Sequence, residues 1–436
     1  MKITIKSILL IITLFLIGCQ SASNYLHKTI LHTNDNRKKL NQKLSSCDLQ
    51  VSITIVAQNR SEFLKMVELA LLEFYQFNYK ESQKYFQKAI NIYQFNETKP
   101  QIALSNIVVS DYVGEGYDKV LLHNYNALNY LMRGDLDGAK VETKNSNFIQ
   151  KKERDRFYLE IEKYKNGENR YSLVLNRYEK LFDNVNSLHT PYQNPFAYYI
   201  SALLYEEDNQ CSEARIDIIN ALKYYRDSPI LKDKLKLYKS SKLNSSDKRV
   251  EIFFDIGKSP LKKQVKIPVK IDENRKKMLY LPTFELYISD IDKIIITDSH
   301  DRVIAKSSTL SDINAIKINE FKAKLPSLIS KVILESGKEV LSEALGKNSL
   351  SASAIYKTLN VVYSQNNLLT WSVLPQRIDV LSFLLLESEK YRLKVIDKNG
   401  KILDNKRLNL KCLKKQKNCY QYYLLRDNKF CNIIGK

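Results

Sequence analysis

The stretch GEGYDKVLLHNYNALNYLMRGDLDGAKVETKNSNFIQ, residues 114–150, decides how the first half of the chain folds. Its first part repeats apolar side chains at steps of three and four residues, with Leu121, Leu122, Tyr125, Leu128 and Leu131. This spacing predicts a helix of about three turns with one apolar face. Gly134 can close that helix, and Asp135 can cap a second one. The second helix takes its apolar groups from Leu136, Ala139, Val141 and Phe148.

Small residues indicate how these two helices pair. Ala127 on the first helix and Ala139 on the second would let the axes approach closely, while Tyr130 and Leu136 fill the space beside them. An antiparallel helix pair of this kind is typical of a tetratricopeptide repeat. We therefore predict a helical hairpin over residues 114–150.

Two other segments carry the same spacing in looser form. The matching small residues are Ala70 and Ser82 within residues 68–91, and Ala202 and Ala214 within residues 195–229. Pro229 is expected to stop the last of these helices. The small residues of the first helices, Ala70, Ala127 and Ala202, are 57 and 75 residues apart. A regular tetratricopeptide array repeats one hairpin about every 34 residues. Extra helices, such as one at 171–186, are therefore expected between the hairpins.

An export leader with a lipidation motif is predicted at the start of the sequence. Two lysines precede the apolar run 8–17, and Leu16-Ile17-Gly18-Cys19 fits the bacterial lipobox. Removal of the leader, residues 1–18, would leave Cys19 carrying acyl chains in a membrane. Gln20 favours the outer membrane, with the protein facing the periplasm. The alternative is an uncut anchor, although the run is shorter than the roughly 20 residues that span a bilayer.

The rest of the chain divides into a helical and a β-rich part. Residues 19–60 are interpreted as a tether because they start polar and without strong periodicity, although residues 49–56 could form a short helix or strand, and residues 61–245 form the helical domain. Alternating apolar and β-branched residues predict strands over 250–436, interrupted by a helical hairpin at 320–364. The predicted fold class is α+β, with a tetratricopeptide-like α-solenoid followed by a sandwich-like β-rich domain. A helical domain without true repeats is the alternative for the first part.

The charge of the chain favours anionic partners. The net charge is +21, or +19 without the two lysines of the leader. Export would place nucleic acid out of reach, so lipid headgroups, lipopolysaccharide and anionic wall polymers are the candidate ligands of a basic surface. The alternative is a basic composition without a specific function.

The cysteines and the absence of catalytic and metal-binding motifs limit the functions that the sequence allows. Cys412 and Cys419 flank a lysine-rich loop and are the preferred disulfide, with Cys431 as the competitor. Cys211 is predicted to be a buried thiol on a helix. No cysteine or histidine spacing fits a metal site, and no nucleophile or phosphate-binding motif is present, so we predict no metal, no cofactor and no catalytic residues.

Three polar features of the central stretch have specific interpretations. Gly114-Glu115-Gly116 either forms an anion-binding nest at a helix start or makes a turn that lets two tyrosines pack. Glu142 either meets a basic group of a neighbouring repeat or is solvated. His123 is predicted to pack and to take no part in chemistry.

Five landmarks resemble a family of uncharacterised bacterial lipoproteins with tetratricopeptide-like helices. They are the lipobox, the tract 114–142, PYQNPFAYYISALLY at 191–205, IFFDIGKSP at 252–260 and WSVLPQRIDV at 371–380. After Glu142 that family continues with an arginine-rich segment that ends in glutamine. Residues 143–150 of this chain keep mainly the glutamine, Gln150. The resemblance implies an envelope lipoprotein without an established catalytic activity. It also implies an association with envelope lipoproteins that resemble activators of peptidoglycan synthases.

We expect an interaction scaffold from these features, and not an enzyme. The concave face of the helices would bind an envelope protein or peptide, and the β-rich part would offer a second contact surface. Aromatic and amide groups make good interface anchors. The candidate partner-binding residues are Tyr112, Tyr117, Asn124, Tyr125, Asn194 and Tyr198. The alternative function is a basic surface that binds anionic envelope polymers or lipids.

Overall fold

The computed structural model describes residues 36–59, 61–98, 112–165, 193–239, 248–270, 276–324, 368–386 and 389–432. Helices come first and strands follow, so the fold is α+β. The leader, Cys19, the predicted helix at 171–186 and most of the predicted helical hairpin at 320–364 lie outside these ranges. Within them, no helix is both long enough and apolar enough to span a bilayer.

The helices and strands are numbered in chain order. The described helices are α1 (36–45), α2 (Leu49–Ala57), α3 (Glu62–Tyr75), α4 (Tyr79–Thr98), α5 (Gly116–Met132), α6 (Leu136–Lys165), α7 (Pro195–Glu207), α8 (Cys211–Leu222), α9 (Pro229–Lys239) and α10 (313–324). The described strands are β1 (Arg249–Ile256), β2 (Leu261–Lys270), β3 (Lys276–Glu285), β4 (Ile291–Thr297), β5 (Val303–Lys306), β6 (Ser308–Asp312), β7 (Arg377–Leu384), β8 (Arg392–Asp397), β9 (Ile402–Arg407), β10 (Cys419–Arg426) and β11 (Lys429–Phe430).

The three predicted hairpins are present, as α3 with α4, α5 with α6, and α7 with α8. The small residues expected at their crossing points are fully buried, namely Ala70, Ser82, Ala127, Ala139, Ala202 and Ala214. Gly134 has a φ of +78° after the end of α5, and Asp135 accepts a hydrogen bond from the Gly138 amide of α6. A Cβ on Gly138 would collide with the Tyr130 ring, so this glycine lets the two helices approach.

Three details of the hairpins differ from the sequence predictions. Val141 and Phe148 are exposed, because the core face of α6 lies on the other side of the helix. Pro229 starts α9 instead of ending α8, since proline is tolerated in the first turn of a helix. Cys211 is the first residue of α8 and is only partly buried.

Part of the predicted tether is helical. Residues 36–45 and Leu49–Ala57 form α1 and α2, and their Leu40 and Leu44 are buried in the main core. A disulfide between Cys47 and Cys431 joins the turn between these helices to the C-terminal end of the sheet. α1 is polar apart from Leu40 and Leu44, which favoured the tether interpretation, whereas α2 is largely apolar and packs on α3.

The β-rich part is a sandwich covered by the helices. A five-stranded sheet has the order β11-β10-β1-β7-β6, and a four-stranded sheet has the order β5-β4-β8-β9. Alternate side chains of β1 point to opposite faces. Phe253 joins the core shared with the helices, whereas Ile252 and Phe254 join the core shared with the four-stranded sheet. The five-stranded sheet therefore lies between the helical layer and the second sheet.

Aromatic rings fill the space between the helices and the five-stranded sheet. The Phe74 ring of α3 lies 4.7 Å from the Tyr422 ring of β10 and 5.9 Å from the Tyr125 ring of α5, measured between centroids. Trp371 joins this cluster, with its ring 6.1 Å from Tyr125. Such pairs contribute about 0.5–1.5 kcal/mol each beyond their buried area. The inner face of the helical layer is thus closed by the chain's own sheet.

Candidate functional site

The six predicted partner-binding residues do not line an open groove. Four of them are at most 5% exposed, namely Tyr117, Asn124, Tyr125 and Asn194, and Tyr112 and Tyr198 are partly buried. Tyr125 donates its hydroxyl hydrogen to Asp255 of β1 at 2.8 Å. These positions serve internal packing, and the concave-face prediction is corrected, because the surface that a free solenoid would offer packs here on the sheet.

The start of α5 binds a carboxylate of the chain itself. Gly114 has a φ of +87°, and the amides of Gly116 and Tyr117 donate to Glu320 of α10 at 3.0 and 3.1 Å. Free backbone amides at a helix N-terminus favour an anion there. The amides after Gly114 therefore do bind an anion, but this anion is the Glu320 carboxylate of the same chain. Glu320 occupies the amides that an external anion would need.

Ion pairs surround this helix start. Glu115 accepts hydrogen bonds from Lys262 at 2.9 Å and from Lys324 at 2.6 Å, and Lys324 also donates to Glu320 at 2.6 Å. Burial raises the pKa of Glu115, but the two ammonium groups outweigh it and hold the pKa well below its ordinary value. Burial raises the pKa of Glu320 in spite of Lys324. The cluster ties α5 to α10 and to β2.

Glu142 meets a histidine of its own hairpin. Its carboxylate lies 2.5 Å from Nδ1 of His123, and Nε2 of the same ring lies 2.7 Å from the Tyr93 hydroxyl. All three side chains are buried. This chain of hydrogen bonds joins α4, α5 and α6, and it gives His123 a packing role.

The outer face of α6 carries a row of exposed apolar side chains. Val141, Phe148 and Leu159 are 57%, 67% and 62% exposed, and Tyr158 beside them is 60% exposed. Steps of seven and eleven residues place the three on one side of a helix, away from the side that carries Ala139. Val141 and Phe148 were predicted from sequence to belong to the core. Their seven-residue spacing places both on the side of the helix opposite Ala139, and this could have distinguished the exposed face.

A cavity of about 310 Å³ opens between α1, α2, α3 and the loop before β7. Glu68 on its wall accepts hydrogen bonds from the Ser372 amide at 3.0 Å, the Ser372 hydroxyl at 2.5 Å and the Asn59 amide at 3.4 Å. Burial raises the pKa of Glu68. Arg37 donates one N–H to the Leu368 carbonyl at 3.0 Å. None of these residues was a candidate from sequence, because the cavity joins segments that are far apart in the chain, as Glu68 and Ser372 are.

Lys317 of α10 lies behind the wall of this cavity. Its ammonium donates to the Ser259 hydroxyl at 2.5 Å, the Thr370 hydroxyl at 3.1 Å and the Trp371 carbonyl at 3.0 Å. Burial lowers the pKa of Lys317 to about 7. Serine and lysine can form a nucleophile and base pair in hydrolases, but Ser259 and Lys317 are only 1% and 0% exposed. The arrangement therefore anchors the loop before β7.

The structure pairs four of the cysteines. Cys412 is bonded to Cys419, the pair preferred from sequence, and Cys431 is bonded to Cys47, whose role was not predicted. Cys211 is a free thiol. Over the described ranges, no three His, Cys, Asp or Glu side chains are grouped so that they could hold a metal ion.

The chain shows little similarity to known proteins. No protein-family profile and no curated protein matches it. Among solved structures, a tetratricopeptide repeat protein from Parabacteroides merdae covers 50% of this chain and 80% of its own, with 14% sequence identity and a TM-score of 0.20. A likeness at so low a TM-score does not indicate what the chain binds, and membership of the lipoprotein family stays a prediction.

Proposed function

We propose that the protein is a non-enzymatic interaction scaffold of the bacterial envelope that binds an acidic partner protein through the outer face of α6. Acyl chains on Cys19 would anchor it to the outer membrane, with the folded part in the periplasm. The lipobox supports the anchor, and two disulfides suit an oxidising compartment. The observation that carries the binding role is the exposed row of Val141, Phe148 and Leu159.

The length and composition of this row suit a partner segment. Apolar side chains that are exposed together mark interaction sites. From Val141 to Leu159 the row follows roughly 27 Å of helix, at 1.5 Å per residue. Covering each of these side chains fully would contribute about 1.5–3 kcal/mol. An amphipathic partner helix of similar length could contact all three residues.

The charges beside the row define the chemistry of the partner. Three exposed cations flank it, namely Lys144, Lys151 and Arg156, while exposed Lys152 is paired with Glu97 at 2.8 Å and exposed Asp155 with Arg154 at 3.1 Å. Complementary charges steer association and suppress wrong partners. A partner with acidic residues around an apolar core fits this face, and its binding should weaken as salt screens the charges.

Site-specific crosslinking in cells tests the proposed surface. A photo-crosslinking residue at position 148 should give an adduct with a discrete envelope protein, whereas position 87, exposed on α4, should not. The captured protein, once purified, should bind the full chain, and Phe148→Glu should weaken that binding at least about tenfold. Ile216→Glu replaces a similarly exposed apolar residue on α8 and should leave binding unchanged.

Other results of this experiment would contradict the proposed partner. Binding that survives both Phe148→Glu and Val141→Glu would remove α6 from the interface. Adducts with phospholipid or wall polymer alone would favour the second candidate function, in which the cations of α6 bind an anionic envelope polymer or lipid. That function predicts sedimentation with anionic vesicles that weakens steeply as salt is raised.

The anchor is tested separately. Cells fed labelled palmitate should label the wild-type chain, and Cys19→Ser should abolish the label and release the protein from the membrane fraction. A Cys19→Ser chain that is labelled as strongly as the wild type would exclude Cys19 as the site of lipidation. Cys211→Ser is the matched control, because it removes the free thiol and leaves the lipobox intact.

A further inference from the structure

We infer that the cavity between α1, α2, α3 and the loop before β7 binds a carboxylate that carries an aliphatic chain. This site lies on different elements from the outer face of α6, and it does not depend on the scaffold function. Its residues come from both ends of the described chain, since Arg37 and Glu68 face Thr370 and Ser372.

Arg37 supplies a cation to the lining of the cavity. A guanidinium has five N–H donors, and the described residues provide one acceptor for it, the Leu368 carbonyl. Burial lowers the pKa of Arg37, and the charge of Glu68, which raises this pKa, offsets only part of the effect. A carboxylate matches the planar fork of a guanidinium and accepts two of its hydrogen bonds.

The hydrogen bonds of Glu68 involve residues other than Arg37. One oxygen of its carboxyl accepts two hydrogen bonds from Ser372, and the other accepts one from Asn59. Burial raises the pKa of Glu68, against these hydrogen bonds and the charge of Arg37. Both carboxyl oxygens of Glu68 therefore already have donors, and the guanidinium of Arg37 is the cation among the lining residues that an anionic ligand can meet.

The lining of the cavity also includes aliphatic side chains, which set the rest of the ligand. They are Leu40, Ile55, Val56 and Leu64, beside the polar residues Asn36, Gln58, Asn59 and Thr370. An inorganic anion or a phosphate would leave these aliphatic side chains uncovered, whereas an alkyl chain would bury them at about 25 cal/mol per Å². A volume of about 310 Å³ suits a small ligand. The chemistry fits a free aliphatic acid, or the C-terminus of a peptide that ends in an aliphatic residue.

The chain contains its own reporter for this site. Trp371 is the single tryptophan, and it is fully buried between the cavity residues Thr370 and Ser372. Its emission should change saturably when octanoate is added to the purified full chain. Octanol has the same chain length without the charge and should bind at least about tenfold more weakly, as expected for loss of a charge-assisted hydrogen bond.

Variants at two positions of the cavity separate binding from folding. Arg37→Gln should weaken octanoate at least about tenfold, and Arg37→Lys should weaken it less, because the charge stays while the fork is lost. Ile55→Phe should abolish binding by filling the cavity while leaving Arg37 in place. Arg215→Gln, at an exposed position of α8, is the matched control and should bind normally. Urea unfolding followed through Trp371 checks that each variant is folded.

A leucine-terminated tetrapeptide and its C-terminal amide distinguish the two sources of the carboxylate. Binding of octanoate alone would identify the ligand as a free acid. Binding of the free peptide but not of its amide or of octanoate would identify it as a peptide C-terminus. Binding of both octanoate and the free peptide would indicate a site that recognises the carboxylate and aliphatic group that they share. The inference is overturned if no carboxylate gives a saturable signal, if octanol binds as well as octanoate, or if folded Arg37→Gln binds like the wild type.

Discussion

The hydroxyl of Tyr125 donates to the carboxylate of Asp255 at 2.8 Å, which joins the middle hairpin of the helical layer to the central strand of the five-stranded sheet. Tyr75 of α3 donates to the same oxygen at 2.5 Å. Helices of two different hairpins are therefore bonded to one strand. A free solenoid uses its inner face for partners, whereas here the chain fills that face itself, and any partner must bind elsewhere.

Asp255→Asn is expected to change how stability depends on pH. Burial raises the pKa of Asp255 to about 6 from its ordinary 3.8, and the tyrosine hydrogen bonds offset only part of the effect. Between these values the folded chain holds a proton that the unfolded chain has released, so the free energy of unfolding falls as pH rises through about 6. Relative to the wild type, the variant should gain roughly 1–3 kcal/mol between about pH 4 and pH 7 in urea unfolding.

Asp292→Asn is the control for this measurement, since that acid is exposed on β4. At pH 7 it should change the free energy of unfolding by no more than about 0.5 kcal/mol, because its side chain is on the surface. If Asp255→Asn and the wild type keep a constant difference over the same interval, Asp255 does not titrate on folding and the stated cause is wrong.

A second prediction concerns the buried lysine that joins α9 to the sheet. The Lys234 ammonium lies 2.7 Å from a Glu206 oxygen and 2.8 Å from a Glu251 oxygen, with all three side chains at most 2% exposed. Lys234→Met would leave two buried carboxylates without a cation, at a cost of about 3–5 kcal/mol in urea unfolding. Adding Glu251→Gln should restore part of the loss, because it removes one of the two uncompensated charges.

The matched control for Lys234 is Lys84→Met, which breaks an exposed ion pair with Glu81 on α4. Exposed pairs contribute little to stability. Equal losses from the two substitutions would show that burial does not set the cost. A Glu251→Gln substitution that made the Lys234→Met chain still less stable would contradict the charge explanation.

Local features of the fold were predictable from sequence, whereas long-range ones were not. Helix pairing follows from small residues such as Ala127 and Ala139, which lie within one hairpin, and strands follow from alternation. The closed inner face depends on bonds such as that of Tyr125 to Asp255, which are 130 residues apart. Amphipathicity indicates which face of a helix is covered but not what covers it, so the groove prediction failed at Tyr125.

The candidate cavity was missed for a related reason. α1 carries few apolar residues, and one of its contacts reaches a distant segment, since Arg37 donates to Leu368 across 331 positions. A single sequence contains no signal for such a pair. The apolar residues of the α6 row are evident in the sequence, but Phe148 was assigned to the core. Its apolar side chain alone does not show whether its face of the helix is buried or exposed.

A third prediction concerns the carboxylate at the start of α5. Glu320→Ala removes the acceptor of the Gly116 and Tyr117 amides and leaves two buried donors unsatisfied. The expected loss is about 1–3 kcal/mol in urea unfolding. Glu320→Gln should lose less, because its amide oxygen can still accept one of the bonds. Identical losses from both variants would mean that the amides do not depend on this acceptor.

The disulfide between Cys47 and Cys431 is expected to hold α1 and α2 against the rest of the fold. It closes a sequence separation of 384 residues, and removing a native disulfide typically costs about 2–5 kcal/mol. The double variant Cys47→Ser, Cys431→Ser should therefore unfold at lower urea concentration than the wild type, and it should also weaken octanoate, because α1 and α2 form two sides of the cavity. Cys211→Ser removes a free thiol and should change neither quantity. A double variant with lower stability but unaltered octanoate binding would show that α1 and α2 keep their positions without the covalent link, and that the packing of Leu40 and Leu44 is sufficient to hold them.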